Sequence, residues 1–365
     1  MTSSKVLHVV GARPNFMKIA PVMRALSGFA SVEQRLIHTG QHYDEKMARI
    51  FFEELALPRP DRDLEVGSGS QAEQTGGVMV GLEKVLAEER PALVVVVGDV
   101  NSTLAATLVA AKAGIPVAHV EAGLRSFDVS MPEEINRMVT DRLSTLLFTP
   151  SRDADENLRR EGVPPERIHF VGNVMIDTLL LHRARAPWPQ VRSAHGLEER
   201  GYALLTLHRP ANVDDPGKFR RILENLRIVA EDLPIVFPAH PRTARRIAEA
   251  GLEKETAFLR MTEPLGYLDF LAAMDHAALV LTDSGGIQEE TTILGVPCFT
   301  LRDNTERPIT VSEGTNTLVG ADGSGLAESY SKLKAGARRP ATPPELWDGH
   351  AGTRIAEILV ASLKP

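Results

Sequence analysis

The sequence predicts an α/β protein made of two successive rounds of strand–helix alternation. Three observations predict it. Strand-length apolar runs recur (Val6–Val10, Ala92–Val97, Tyr202–Leu207, Ala278–Leu281), each closed by a glycine or polar turn that opens a helical pattern. Such unbroken runs suit parallel strands buried on both faces. The 365 residues exceed what a single core usually organises, so two domains are expected. Between the two rounds, Arg183–Gly196 is polar, proline-bearing and without periodicity, and reads as the connection.

Composition narrows the function. A hydrophobic fraction of 43% and a charged fraction of 24% are those of a globular protein. A net charge of −7 without a basic run argues against a nucleic-acid partner. The single cysteine, Cys298, excludes an intrachain disulfide framework, as expected of a chain in a reducing cytoplasm, and sits in an apolar strand where it reads as a small hydrophobe. The N-terminus runs straight into a strand rather than a leader, and no apolar run approaches membrane-spanning length.

In order, Val6–Val10 is the first strand, broken by Gly11, and Arg13-Pro14 opens a helix through about Leu26. This resembles the entry of a nucleotide-binding fold without the GxGxxG fingerprint. Arg13 and Lys18 lie near that helix start, where a cation is unfavourable unless it faces an anion. Leu36–Thr39 is the second strand, followed by Gly40-Gln41-His42-Tyr43-Asp44 and a helix through Phe52. Gln71–Leu86 is a helix and Ala92–Val97 the most apolar strand, ending at Gly98-Asp99. Asn101 or Ser102 can cap the next helix, which leaves Asp99 for a site at the carboxyl end of a strand. Pro116–Val120 ends likewise in Glu121, and Pro132-Glu133-Glu134 starts a helix. Asp99, Glu121 and Glu133 are thereby expected at one end of one sheet, where like charges raise one another's pKa toward usable acid/base values. Leu146–Thr149 and Ile168–Val171 complete the sheet.

The second half repeats the pattern. Tyr202–Leu207 ends at His208-Arg209, Ile235–Phe237 ends at His240-Pro241-Arg242, and Phe258–Met261 precedes a helix over Tyr267–Met274. Histidines ending two successive strands suggest a site more than either alone. Ala278–Leu281 leads through Ser284-Gly285-Gly286 into a helix over Ile287–Leu294, stopped by Gly295 and Pro297 before a strand at Cys298–Leu301. A strand, a glycine turn and a helix N-terminus present free N–H groups and a positive dipole end to one point, which suits a phosphate. The histidines, carboxylates and lone cysteine match no metal spacing, and there is no P-loop, GxSxG or kinase set. An enzyme acting on a phosphate-bearing ligand here would rely on cationic side chains and backbone N–H groups.

The motifs Gly11-Ala-Arg-Pro14 with Lys18, Thr39-Gly-Gln-His42, Gly98-Asp99, His119-Val-Glu-Ala-Gly-Leu-Arg125, Pro132-Glu-Glu-Ile-Asn-Arg137, His208-Arg209, Asp283-Ser-Gly-Gly-Ile-Gln-Glu-Glu290 and Arg302-Asp-Asn-Thr-Glu-Arg-Pro308 occur in this order. Together the set resembles the non-hydrolysing UDP-N-acetylglucosamine 2-epimerases. The resemblance implies two Rossmann-like domains with an interdomain cleft, the GT-B fold shared with one class of nucleotide-sugar glycosyltransferases. Residues 1–172 plus about 352–365 would form the first domain, and 173–351 the UDP-binding domain. It implies that Ser284, Gly285 and Gly286 hold the diphosphate with Arg13 and His208, and that Glu290 binds the ribose. Phe270 would line the uracil pocket, while Lys18, Arg137 and Arg307 surround the sugar and its phosphates. Asp99, Glu121 and Glu133 would be the acid/base groups, with base and acid unassigned among them.

The implied chemistry is reversible inversion at C2 of the sugar by anti elimination of UDP, a bound 2-acetamidoglucal, and re-addition of UDP. No nicotinamide or other cofactor is implied, and a homodimer is. In substrate-activated members, Gln41, His42, Arg209 and His240 would line a second UDP-sugar site. Two positions depart from the pattern: Asn15 stands where many members carry glutamate, and Asp44 where the substrate-activated enzymes carry glutamine nearby. The competing readings are a relative acting on a UDP-2,3-diacetamido sugar, a glycosyltransferase of the same fold, and a nucleotide-sugar sensor.

Overall fold

The computed structural model describes residues 3–40, 54–337 and 342–363. The helix expected to end at Phe52, together with Gln41, His42 and Asp44, lies outside the described residues. The chain divides into two compact units: 1–181 with 345–365, and 182–344.

The first unit holds a seven-stranded sheet in the order β3-β2-β1-β4-β5-β6-β7, every described pairing parallel. Its strands are β1 (Ser4–Val10), β2 (Val32–His38), β3 (Arg62–Asp63), β4 (Leu93–Val97), β5 (Val117–Val120), β6 (Leu146–Thr149) and β7 (Ile168–Phe170). The edge strand β3 has two residues without apolar character and carried no readable signal. The helices between strands are α1 (Arg13–Leu26), α2 (Gln71–Glu89), α3 (Asn101–Lys112), α4 (Pro132–Leu143) and α5 (Arg152–Arg160). The apolar strand centre Leu93–Val97 is wholly buried, as a sheet covered on both faces requires. Helix α2 starts at a true capping box, Ser70 accepting from the Glu73 N–H while Glu73 accepts from the Ser70 N–H.

The first unit ends later than the sequence suggested. Helix α6 (Val174–Arg183) follows β7, and its Thr178 hydroxyl donates to the Met17 carbonyl of α1 at 2.6 Å. Its Asp177 carboxylate accepts the Ala351 and Gly352 N–H groups at 3.1 and 2.7 Å, capping the start of the last helix, Ala351–Ser362. That helix sits against α1, where Gly352 leaves no room for a Cβ over the Pro21 carbonyl.

The second unit has six strands in the order β10-β9-β8-β11-β12-β13, again with all described pairings parallel. They are β8 (Ala203–Thr206), β9 (Ile235–Pro238), β10 (Leu259–Thr262), β11 (Leu279–Thr282), β12 (Cys298–Thr300) and β13 (Asn316–Leu318). The stretch expected to be a bare connection contains a helix, α7 (Trp188–His195), closed by Gly196 in the left-handed conformation. Trp188 stacks on His276 with ring centres 4.1 Å apart, a tertiary contact that periodicity could not announce. The remaining helices used below are α8 (Pro210–Val213), α9 (Pro216–Ala230), α10 (Pro241–Glu249), α11 (Tyr267–Asp275) and α12 (Gly285–Leu294). In both sheets the order reverses beside the first strand of the unit, the switch point at which open α/β sheets bind ligands. Among the described residues no helix is long and apolar enough to cross a membrane.

Candidate active site

In the first unit, β4 and β5 are neighbours in register, Val97 beside Val120, so Asp99 and Glu121 leave adjacent strand ends. Glu121 has φ 73°, a left-handed conformation that a side chain adopts at a cost and that clusters at functional sites. The turn is held because the Glu121 and Ala122 N–H groups both donate to the Phe148 carbonyl at 3.0 Å. The Glu121 carboxylate is buried against the Lys18 ammonium, itself buried on α1. Gly98 makes room for that ammonium, since a Cβ there would lie 2.9 Å from Lys18 Nζ. The second carboxylate has a cation too. Arg137 Nη1 donates to Asp99 Oδ2 at 2.5 Å.

Arg137 is positioned from the other side by Glu134, which receives its Nη2 at 2.5 Å and Nε at 3.1 Å. Glu134 also accepts the Ser126 and Phe127 N–H groups and the Ser126 hydroxyl. Burial opposes its charge, but the Ser126 N–H and Arg137 outweigh it and hold the carboxyl below its ordinary value. Glu133, one residue earlier on α4, is exposed. Consecutive helical residues point about 100° apart. The sequence singled out Glu133, and the structure puts Glu134 in the buried cluster.

A second residue passed over is His119. Buried on β5, its Nδ1 lies 2.6 Å from Asp141 Oδ1 and its Nε2 2.8 Å from the Gly98 carbonyl. Asp141 also pairs with Arg125 at 2.7 Å and accepts the Gly123 N–H at 3.1 Å. Burial works against Asp141's charge, yet His119 and Arg125 hold the carboxyl below its usual value. The turn carrying Asp99 is thus tied down from beneath. Asn15, where the motif departs from the pattern, accepts the Gly11 and Ala12 N–H groups and donates to the Val97 carbonyl at 3.0 Å. An ionised glutamate has no hydrogen for that last bond. Arg13 opens α1.

In the second unit, Ser284 is the N-cap of α12 and makes no side-chain cap bond, and the helix proper begins at Gly285 rather than Ile287. A Cβ at Gly285 would lie 2.5 Å from Arg307 Nη1, so the guanidinium packs directly under this helix start. Arg307 is held by Glu289 at 2.9 Å and Glu306 at 2.5 Å. Glu306 also pairs with Arg302 at 2.6 Å, and Arg209 stands 4.0 Å from it. Burial opposes that carboxylate's charge, and Arg307 and Arg302 outweigh it, holding the group well below its ordinary range. Glu290, fully buried in α12, is pushed up to about 8 chiefly by burial and is met by the Tyr267 hydroxyl at 3.1 Å. Phe270 is half-buried on α11, one turn from Tyr267. His208 and Arg209 follow β8, and exposed His240 follows the neighbouring β9, its Nδ1 accepting the Arg242 N–H at 3.2 Å to cap α10.

One unit thus carries a phosphate-type helix start, and the other two carboxylates each held against a cation. The sequence pattern of the family described as UDP-N-acetylglucosamine 2-epimerase matches residues 24–360. The chain belongs to that family. A UDP-N-acetylglucosamine 2-epimerase of Methanocaldococcus jannaschii is 46% identical over 97% of this chain and 98% of its own. A UDP-2,3-diacetamido-2,3-dideoxy-D-glucuronate 2-epimerase of Pseudomonas aeruginosa is 42% identical over 97% of this chain and 99% of its own. The crystal structure of the M. jannaschii UDP-GlcNAc 2-epimerase in complex with UDP-GlcNAc and UDP superposes with a TM-score of 0.91 at 45% identity, covering 98% of this chain and 99% of that one.

For an epimerase of this family, the positions that sequence reasoning missed share one property. Glu134, His119, Asp141 and Asp283 are all buried charged or ionisable groups whose partners come from elsewhere in the chain or from backbone N–H groups. Their motif neighbours marked the region, but nothing in local periodicity separates such a group from a solvated one.

Proposed function

We propose that the chain reversibly converts UDP-N-acetylglucosamine to UDP-N-acetylmannosamine. One observation carries this reading: Asp99 and Glu121 leave adjacent strand ends, each against its own cation, Arg137 and Lys18. Inverting a carbon needs one group to remove a proton and another to return one on the opposite face. A glycosyltransferase removes no proton from C2, so this pair of carboxylates would have no evident job there.

In this reading Ser284, Gly285 and Gly286 hold the diphosphate with Arg13, His208 and Arg307, where helix dipole and N–H groups stabilise departing UDP. Glu290 takes the ribose hydroxyls and Phe270 the uracil. Elimination breaks the anomeric C–O bond, its electron pair leaving with UDP, as a carboxylate takes the C2 proton. UDP re-adds to the 2-acetamidoglucal after C2 is protonated from the other face. Asp99, Glu121 and Glu133 supply these protons, with Arg137 held against Asp99 and Lys18 against Glu121. A homodimer, and work in the cytoplasm on precursors of surface polysaccharide, complete the proposal. Arg209 and His240, with Gln41 and His42, are the residues for a second UDP-sugar.

The diacetamido-sugar reading has the 42% identity of the P. aeruginosa enzyme in its favour. Incubating the purified protein with each UDP-sugar in deuterated water decides between them. The expected result is a manno signal with deuterium at C2 from UDP-N-acetylglucosamine without any acceptor. Turnover confined to the diacetamido sugar, or net release of UDP, overturns it. Asp99→Asn should keep UDP binding and lose turnover, which a sensor would not.

A further inference from the structure

Asp283 immediately precedes the phosphate-type turn. It is wholly buried, yet it carries a carboxylate beneath a site suited to an anion. Its acceptor positions are taken by one short loop. The His208 N–H reaches both oxygens at 3.2 and 3.1 Å, the Arg209 N–H reaches Oδ2 at 2.9 Å, and Asn212 Nδ2 reaches Oδ2 at 3.1 Å. The last partner is a side chain: His208 Nδ1 stands 2.9 Å from Asp283 Oδ1. Burial works against the charge of Asp283, but His208 and the Arg209 N–H outweigh it and keep the carboxyl below its ordinary value.

An ionised carboxylate only accepts, so the hydrogen in that contact belongs to Nδ1. Nε2, on the far side of a ring whose side chain is 55% exposed, is then the nitrogen open to a ligand. The ring's two nitrogens are distinct, and the partner of one sets the state of the other. We propose that Asp283 is a positioning residue for catalysis: it fixes His208 with Nδ1 protonated and Nε2 turned outward to exchange a proton with the diphosphate oxygen. As the C1–O bond breaks, its electron pair stays on that oxygen, and the imidazolium form of His208, protonated at both nitrogens, gives its Nε2 proton to it and is left as the neutral ring with its hydrogen on Nδ1. On re-addition of UDP the proton returns to Nε2, so the cycle needs no further reactant. The same carboxylate holds the Arg209 N–H, which shapes the loop between β8 and α8. This inference rests on the proposed epimerase reading for its kinetic consequence but not for its geometry.

The first test uses the unaltered protein. Nitrogen-15 spectra of the ring, assigned with His208→Gln, should show neutral His208 protonated at Nδ1. Protonation at Nε2 instead overturns the proposal, whatever the enzyme's substrate. The second test is kinetic. Asp283→Asn should lower kcat about 100-fold, within the range of a displaced acid/base group, while UDP affinity changes less than about threefold. In a His208→Gln background, Asp283→Asn should cost less than about threefold more, because residues acting as a unit are not additive. An equal loss in both backgrounds shows that Asp283 acts independently of His208 and defeats the proposal. Absence of epimerase turnover in the unaltered protein would refute the proposed function and leave the ring measurement to decide the geometry.

Discussion

Tyr267 donates its phenolic hydrogen to Glu290 Oε1 at 3.1 Å, both groups buried between α11 and α12. The tyrosine favours the charged carboxylate, yet burial prevails and Glu289 adds to it, pushing Glu290 up to about 8. At neutral pH this side chain is therefore largely protonated.

That has a stability consequence of definite sign. An acid whose folded pKa is raised binds more protons folded than unfolded between the two values, so stability falls as pH rises. For Glu290 the window runs from the ordinary value of 4.5 up to about 8. Glu290→Gln should remove a pH-dependent loss on the order of 2–5 kcal/mol across that window. Urea unfolding at pH 5 and pH 8 measures it, and an unchanged difference between those pH values in the variant refutes the assignment.

Lys18 and Glu121 form a buried ion pair, and removing one partner strands the other. Lys18→Met should cost about 3–5 kcal/mol, whereas Lys18→Met with Glu121→Leu should recover much of it. Chemical denaturation of the unaltered protein, of Lys18→Met and Glu121→Leu singly and of the double variant gives the comparison. Additive losses would show that the pairing is not what holds these groups.

Gly285 is small because Arg307 lies under it. Gly285→Ala should push the guanidinium aside and weaken UDP binding at least about tenfold, roughly 1.4 kcal/mol. Stability should change little, since the obstructing atoms end a side chain. Calorimetric titration with UDP beside a melting curve separates the two effects, and unaltered UDP affinity contradicts this role for Arg307.

Gly172 adopts φ 87° and abuts the backbone carbonyl of Leu346, in the segment that returns to the first unit. An alanine there meets both a left-handed backbone and fixed main-chain atoms, at a cost of about 2–4 kcal/mol. Hydrogen exchange should quicken first in the helix Ala351–Ser362. Uniform quickening throughout the unit would mean that the segment is not separately anchored.

The sequence by itself determined the alternation of strands and helices in two successive rounds. That alternation is a local consequence of apolar run length and of glycine and proline placement. The apolar run Ala92–Val97 read as a covered strand, and Ser284-Gly285-Gly286 as the turn before a helix that the structure begins at Gly285. Arg62–Asp63 and Asn316–Leu318 escaped notice because two or three residues hydrogen-bonded at a sheet edge need no apolar pattern. The helix Trp188–His195 escaped because its side chains are organised by Tyr202 and His276 rather than by periodicity. Only the tertiary structure decided which ionisable groups act together. Glu134 rather than Glu133 clamps Arg137, His119 ties Asp141 to the Gly98 carbonyl, and Asp283 faces His208. The charge that the buried Asp283 carries depends on partners up to 75 residues away in the chain, and that distance vanishes only when the sheet forms.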